Sequence, residues 1–196
     1  GYGRLAAQVS SVIHCAAMVN LAVDRERMEA WSQAGITTVL QFCRDADAPL
    51  AFSSSTSIFP DAGGPFAEDA TAPFAGISGY GAAKIAAEHA IAASGVPATI
   101  LRLPSLYDLG DPNPKDIYES ILTACRQLGR APLGLCFRMT DVRAATRFLV
   151  RQPAPEGLRY CNLITDDAVT APADMQVMPV TDWLVAAPLS PAERRL

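Results

Sequence analysis

Apolar positions fall into short dense runs separated by stretches with helical spacing. Residues 11–17 (SVIHCAA) form a compact run rich in β-branched side chains, the pattern of a buried strand. Over residues 24–43 charges come early and Met28, Trp31, Val39, Leu40 and Phe42 share a face, which predicts a helix interrupted at Gly35. Residues 49–54 (PLAFSS) read as a second strand, and residues 57–78, rich in Pro, Gly and Ala, as a long loop of the kind that usually carries function. The alanine-rich stretch 79–94, closed by Ser94-Gly95, predicts a helix, and residues 98–103 (ATILRL) a third strand ended by Pro104.

Strand, helix, strand, helix, strand with short links is the rhythm of a parallel sheet with crossover helices. After Asp108 the pattern changes to a turn at 111–114, helices at 116–128 and 140–150, a short strand at 160–164 and a short helix at 180–187. The expected fold is α/β, with part of a doubly wound parallel sheet in residues 1–107 and a smaller substrate-side lobe in residues 108–196. No internal repeat or heptad seam is visible.

Composition narrows the functional classes. Half of the 196 residues are apolar and 18% are charged, which describes a packed chain long enough to bury a sizeable core. A net charge of −4 offers no basic field for nucleic acid. No apolar run approaches the roughly 18 residues of a membrane span, and no signal-peptide pattern opens the chain. The five cysteines, Cys15, Cys43, Cys125, Cys136 and Cys161, are scattered without a CxxC pair or a Cys/His cluster. That argues against zinc or any metal site and against a disulfide framework, and for buried thiols in a reducing cytoplasm. Only two lysines occur, Lys84 and Lys115, so a role that needs an amine has two candidates.

One of them belongs to the most informative segment, Gly79-Tyr80-Gly81-Ala82-Ala83-Lys84. A spacing of four puts the Tyr80 phenol and the Lys84 amine on one helix face. A free phenol titrates near about 10. A nearby ammonium stabilises the phenolate and draws it toward acid–base use, whereas an ordinary surface i,i+4 pair is the plainer alternative. The small residues between them leave room for a flat cofactor or a sheet. Upstream, LAFSSSTSIF runs a strand into a hydroxyl cluster, at the strand end where open parallel sheets bind ligands. A serine there suits donation to a substrate carbonyl, although any single one also suits a turn or helix cap. The third strand ends in Pro104-Ser105-Leu106-Tyr107 on the same edge. Elsewhere, His14 reads as a core histidine before a catalytic one, Asp141 as a helix cap, and Trp31 and Trp183 as packing residues. Asp61, Glu68 and Asp69 read as solvated positions in a loop that shapes access.

The ordered series VIHCAA, FSSST, YGAAK and LRLPSLY resembles the extended short-chain dehydrogenase/reductase superfamily. Within it, VIHCAAMVN, ILTACRQLGRAPLG and MTDVRAATRFLV resemble the thioester reductase domains that terminate nonribosomal peptide and polyketide synthetases, relatives of carboxylic acid reductases. The similarity runs from Val9 to about Ala187. It implies a Rossmann-type sheet in which Ser55 hydrogen-bonds the substrate carbonyl and Tyr80 is the general acid. Lys84 would lower the Tyr80 pKa and hold the nicotinamide ribose. Ala16 and Ala17 would pass beside the cofactor, and Pro104, Ser105 and Leu106 would flank its carboxamide. The implied cofactor is NADPH in preference to NADH, and the implied substrate an acyl thioester on a phosphopantetheine carrier protein, released as aldehyde or alcohol.

Two features depart from the family. The GxxGxxG phosphate loop and the first strands of the sheet are missing, since no strand precedes Gly1 and Gly3 and no helix is expected after them. Ser32 stands where the family often has asparagine, while Gly35 is kept. The chain therefore reads as a reductase fragment with a cut sheet edge that favours self-association or a partner strand. Two alternatives stand beside the reductase. One is a nucleotide-sugar epimerase/dehydratase or sterol-type dehydrogenase, with Arg126, Arg130 and Arg138 available to a sugar nucleotide. The other is a non-catalytic remnant or docking fragment.

Overall fold

The computed structural model describes residues 1–17, 25–60, 64–108, 110–111, 113, 116–165, 168–171 and 174–190. Asp61 and Lys115 lie outside the described residues. Two compact units emerge, one of residues Gly1–Pro104 with Thr146–Ile164 and one of Ser105–Ala145 with Thr165–Leu196. The sequence pattern suggests a single division after residue 107. The difference arises because a late strand returns to the first sheet.

The first unit begins with a short helix that the sequence pattern does not reveal, α1 (Tyr2–Ala6), followed by β1 (Val12–His14) and α2 (Arg25–Ala46). Helix α2 runs unbroken through Gly35, because burial of Met28, Ile36, Leu40 and Cys43 outweighs one glycine's cost of about 1 kcal/mol. Next come β2 (Leu50–Ser55), a 3-10 turn at Thr56–Ile58, α3 (Gly79–Ala93) and β3 (Ala98–Leu103). Ser78 caps α3 by accepting from the Gly81 N–H (3.0 Å), which fixes where the helix starts and hence where Tyr80 stands.

Chain order after β3 is β4 (Leu106–Tyr107), α4 (Ile117–Leu128), β5 (Arg130–Pro132), β6 (Cys136–Arg138), β7 (Thr140–Asp141) and α5 (Val142–Arg151). Then follow β8 (Leu158–Asn162), β9 (Ala168–Thr170), β10 (Gln176–Met178) and α6 (Val180–Ala186). The four-stranded sheet has the order β1-β2-β3-β8, and every pairing in it is parallel. This is an α/β fold of partial Rossmann type. Strand β3 is central and buried along its whole length. Leu50 and Phe52 of β2 and Ala98 and Ile100 of β3 turn to the face covered by α2 and α3, where Leu40, Cys43, Ala87 and Ile91 complete the core.

The second unit holds three two-stranded ladders, β4 with β7, β5 with β10 and β6 with β9, too short to stand out in the sequence pattern. Asp116 caps α4 through the Tyr118 N–H (2.8 Å). Its core gathers Ala124, Cys125, Ala131 and Trp183, whose indole N–H donates to the Arg130 carbonyl (2.9 Å). The Asp141 carboxylate accepts from the Ala144 N–H (2.9 Å), the cap its position before α5 implies. Among the described residues no helix is long and apolar enough to cross a membrane, and no cluster of His, Cys, Asp and Glu is suited to a metal ion.

Candidate active site

Parallel strands place their carboxyl ends on one edge of the sheet. On that edge Ala16 and Ala17 follow β1, Ser55 ends β2 and Pro104 follows β3. Ser105 and Leu106 belong to the second unit, as does Tyr107. Tyr80 and Lys84 sit on the first turns of α3, above the end of β2.

A cleft of about 320 Å³ opens here, walled by Met28, Trp31 and Phe52 and closed toward α3 by Tyr80, Ala83 and Lys84. Ala16 and Ala17 form part of its rim together with His14. The small side chains at Ala16, Ala17 and Ala83 leave room between flat apolar walls, a shape that fits a nicotinamide ring and its ribose. No GxxGxxG occurs anywhere in the sequence to hold a pyrophosphate.

Lys84 is buried, with 5% of its surface exposed. Its ammonium donates to the Ser53 carbonyl (2.6 Å) and lies 4.8 Å from the Phe52 ring centre and 5.6 Å from that of Tyr80. Burial pulls its pKa down to about 8, against the opposing pull of Cys15 and Glu88. Burial likewise raises the Tyr80 phenol, and the influence that opposes it is a hydrogen bond with the Ser55 side chain. The ammonium therefore faces the Tyr80 ring, with its hydrogen bond made to the Ser53 carbonyl. Ser55 itself is buried, accepts from the Ser57 N–H (3.1 Å) and donates to the Ser57 hydroxyl (3.0 Å). It caps the 3-10 turn, the structural role that a serine at this strand end also suits.

Two residues of the cleft differ from their sequence-based expectation. His14 is half-buried at the cleft rather than in the core, stacked on Phe52 at 5.8 Å, with its pKa lowered by burial and then by Lys84. Trp31 is 39% exposed, with the Arg27 guanidinium 4.7 Å from its ring centre, and lines the cleft instead of filling the interior. Ser32, also at the cleft, donates to the Ala83 carbonyl (3.3 Å) and so joins α2 to α3.

Sequence reasoning missed a buried ion pair just behind the site. Arg102 Nη2 lies 2.8 Å from Glu88 Oε2, and Ser54 donates to Glu88 Oε1 (2.5 Å). Arg102 also donates to the Ala67 (3.4 Å) and Asp69 (2.6 Å) carbonyls. The Asn162 backbone N–H donates to the Glu68 carboxylate (2.6 Å), so Glu68 and Asp69 anchor the long loop rather than serving only as solvated positions. The signals were present: an arginine inside an apolar strand, and a glutamate one turn beyond Lys84.

The family model described as "NAD dependent epimerase/dehydratase family" matches residues 4–136. Among solved structures, the terminal R domain of the myxalamid PKS-NRPS biosynthetic pathway superposes with a TM-score of 0.79 at 24% identity, covering 99% of this chain and 56% of that one. A thiolation-reductase di-domain from an archaeal non-ribosomal peptide synthetase gives a TM-score of 0.67 at 16% identity, covering 86% of this chain and 41% of that one. UDP-glucuronic acid 4-epimerase from Bacillus cereus, in complex with NAD, gives 0.68 at 15% identity, covering 97% and 72%. The chain thus spans about half the length of the reductase domains it matches. No curated protein sequence matches it.

Proposed function

Because the chain belongs to the NAD-dependent epimerase/dehydratase family, we propose that it carries the catalytic part of a nicotinamide-dependent reductase acting on a carrier-bound acyl thioester. The observation that carries this reading is the cleft itself, closed on one side by Tyr80 and a buried Lys84 whose ammonium lies 5.6 Å from the phenol ring centre, with Ser55 at the end of the adjoining strand β2. The likeness to terminal reductase domains supports the choice of substrate, a thioester on the phosphopantetheine arm of a carrier protein.

In this proposal Ala16, Ala17 and Pro104 border the nicotinamide, and Lys84 holds its ribose. NADPH, preferred to NADH on the subgroup resemblance, would supply the hydride. The Ser55 hydroxyl turns from Ser57 to the substrate carbonyl oxygen and stabilises the charge that develops there. Tyr80 gives that oxygen its proton. Burial holds the phenol above its usual range and so makes it a weaker acid, which leaves proton release dependent on the groups that stabilise the phenolate. Once the proton has left, the Ser55 hydroxyl and the Lys84 ammonium stabilise the phenolate. The outer edge of β1, which among the described residues pairs only with β2, offers its backbone to a further strand or a second copy. The five free thiols suit a reducing, cytoplasmic setting.

The runner-up reading, epimerisation or dehydration of a nucleotide sugar, draws on the epimerase likeness. It is weakened by Arg126, which Glu119 and Thr123 already hold. Acyl-pantetheine thioesters and UDP-sugars, assayed side by side with NADPH or NAD, separate the two. The expected result is thioester reduction that falls about 10²–10⁴-fold in Tyr80→Phe. Turnover of UDP-sugars alone, or a Tyr80→Phe variant as active as its parent, overturns the reductase reading. Absence of cofactor binding by fluorescence titration favours the non-catalytic alternative.

A further inference from the structure

We propose, on the reading of Ser55 and Tyr80 given above, that Gly81 is a positioning residue for that pair: its missing side chain lets the turn that follows Ser55 rest directly on the first turn of α3. A Cβ built at Gly81 would lie 2.4 Å from the Ser57 carbonyl oxygen and 3.0 Å from Ile77 Cγ1. The first of these is backbone and has no rotamer through which to retreat. Any side chain at 81 must lift the turn or tilt the helix.

The other neighbour of Tyr80 is seated the same way. A Cβ at Gly79 would lie 3.1 Å from Arg25 Cα, at the start of α2. Backbone thus approaches α3 on both sides of the phenol-bearing residue, the turn at Gly81 and α2 at Gly79. Glycine is a poor helix former, so two of them flanking one residue in a first turn run against local propensity. Close approach supplies the reason.

The turn matters because it holds the Ser55 hydroxyl. The Ser57 N–H donates to Ser55 Oγ (3.1 Å) and the Ser57 hydroxyl accepts from it (3.0 Å), so displacing Ser57 displaces Ser55 Oγ. Ser55 is in turn the group that draws the phenol pKa down against burial. Gly81 therefore acts on Tyr80 through Ser57 and Ser55, without touching the reacting atoms.

The test reads the phenol directly. Tyrosine labelled at Cζ is incorporated into the full chain, and the Tyr80 resonance, assigned by its loss in Tyr80→Phe, is followed by NMR through alkaline titration. Gly81→Ala is expected to raise the Tyr80 midpoint by about half to one pH unit, the size of one hydrogen bond. Ser55→Ala should give the same rise, and the double variant no more than either alone, as residues acting in series behave. Gly81→Ala/Ile77→Ala, which relieves the side-chain clash but not the backbone one, should keep the rise and provides a second protein where the single variant folds poorly. A parent-like midpoint in either Gly81 variant, or shifts that add to that of Ser55→Ala, overturns the proposal. No substrate enters the measurement, so its outcome is separable from that of the reductase assay.

Discussion

Lys84 is a poor place for a charge that the proposed mechanism needs. Its ammonium is buried, satisfied by one carbonyl and two ring faces, and burial pulls its pKa from 10.5 down to about 8. For a base whose folded pKa is depressed, the cost to stability is complete below the folded pKa, fades between the two values and vanishes above the unfolded one. Lys84→Met is therefore expected to be more stable than the parent at neutral pH, by at most roughly 3 kcal/mol. That advantage should shrink from about pH 8 and be gone by pH 10.5. Paired urea melts of parent and variant across this range measure it, and a difference independent of pH would show that the buried charge is not its source. The same variant should lose turnover, as expected where function is kept at the expense of stability.

At the scale of elements, the Glu88–Arg102 pair joins α3, β2, β3 and the long loop in one buried network. Both side chains are shielded from solvent, Arg102 at 0% and Glu88 at 1% exposure. Breaking such a pair leaves an uncompensated buried charge and costs on the order of 3–5 kcal/mol. Arg102→Met is accordingly expected to lower the unfolding free energy by about that amount. It should also open the segment around Ala67 and Asp69 to protease, because their carbonyls lose the guanidinium. Glu88→Gln/Arg102→Met should be less damaging than Arg102→Met alone, since no charge is then stranded. A double variant as unstable as the single one would place the stability in packing rather than in charge. Arg102 also stacks over Tyr160 at 4.6 Å, so part of its contribution is that of a large planar side chain.

For the molecule as a whole, each compact unit contains one of the two tryptophans. Trp31 lines the cleft of the first unit, while Trp183 is 2% exposed in the core of the second. A nicotinamide ligand bound as proposed should quench Trp31 and leave Trp183 unaffected. Fluorescence titration with NADPH is thus expected to show quenching in Trp183→Phe and none in Trp31→Phe. Quenching confined to Trp183 would move the binding site out of the cleft.

What the sequence determined by itself is what local rules encode. Period and propensity placed β2, α3, β3 and α4 to within a residue or two, and the spacing of Tyr80 and Lys84 put them on one helix face. Tertiary structure decided whatever depends on neighbours far along the chain. It took Leu158–Asn162 into the first sheet, carried α2 through Gly35, and brought His14 and Trp31 to the cleft. It also buried Ser55 in the turn that follows β2 and turned the Lys84 ammonium to the Ser53 carbonyl. Burial and backbone close approach, which fix the pKa of Lys84 and the need for glycine at 81, exist only once distant segments pack together.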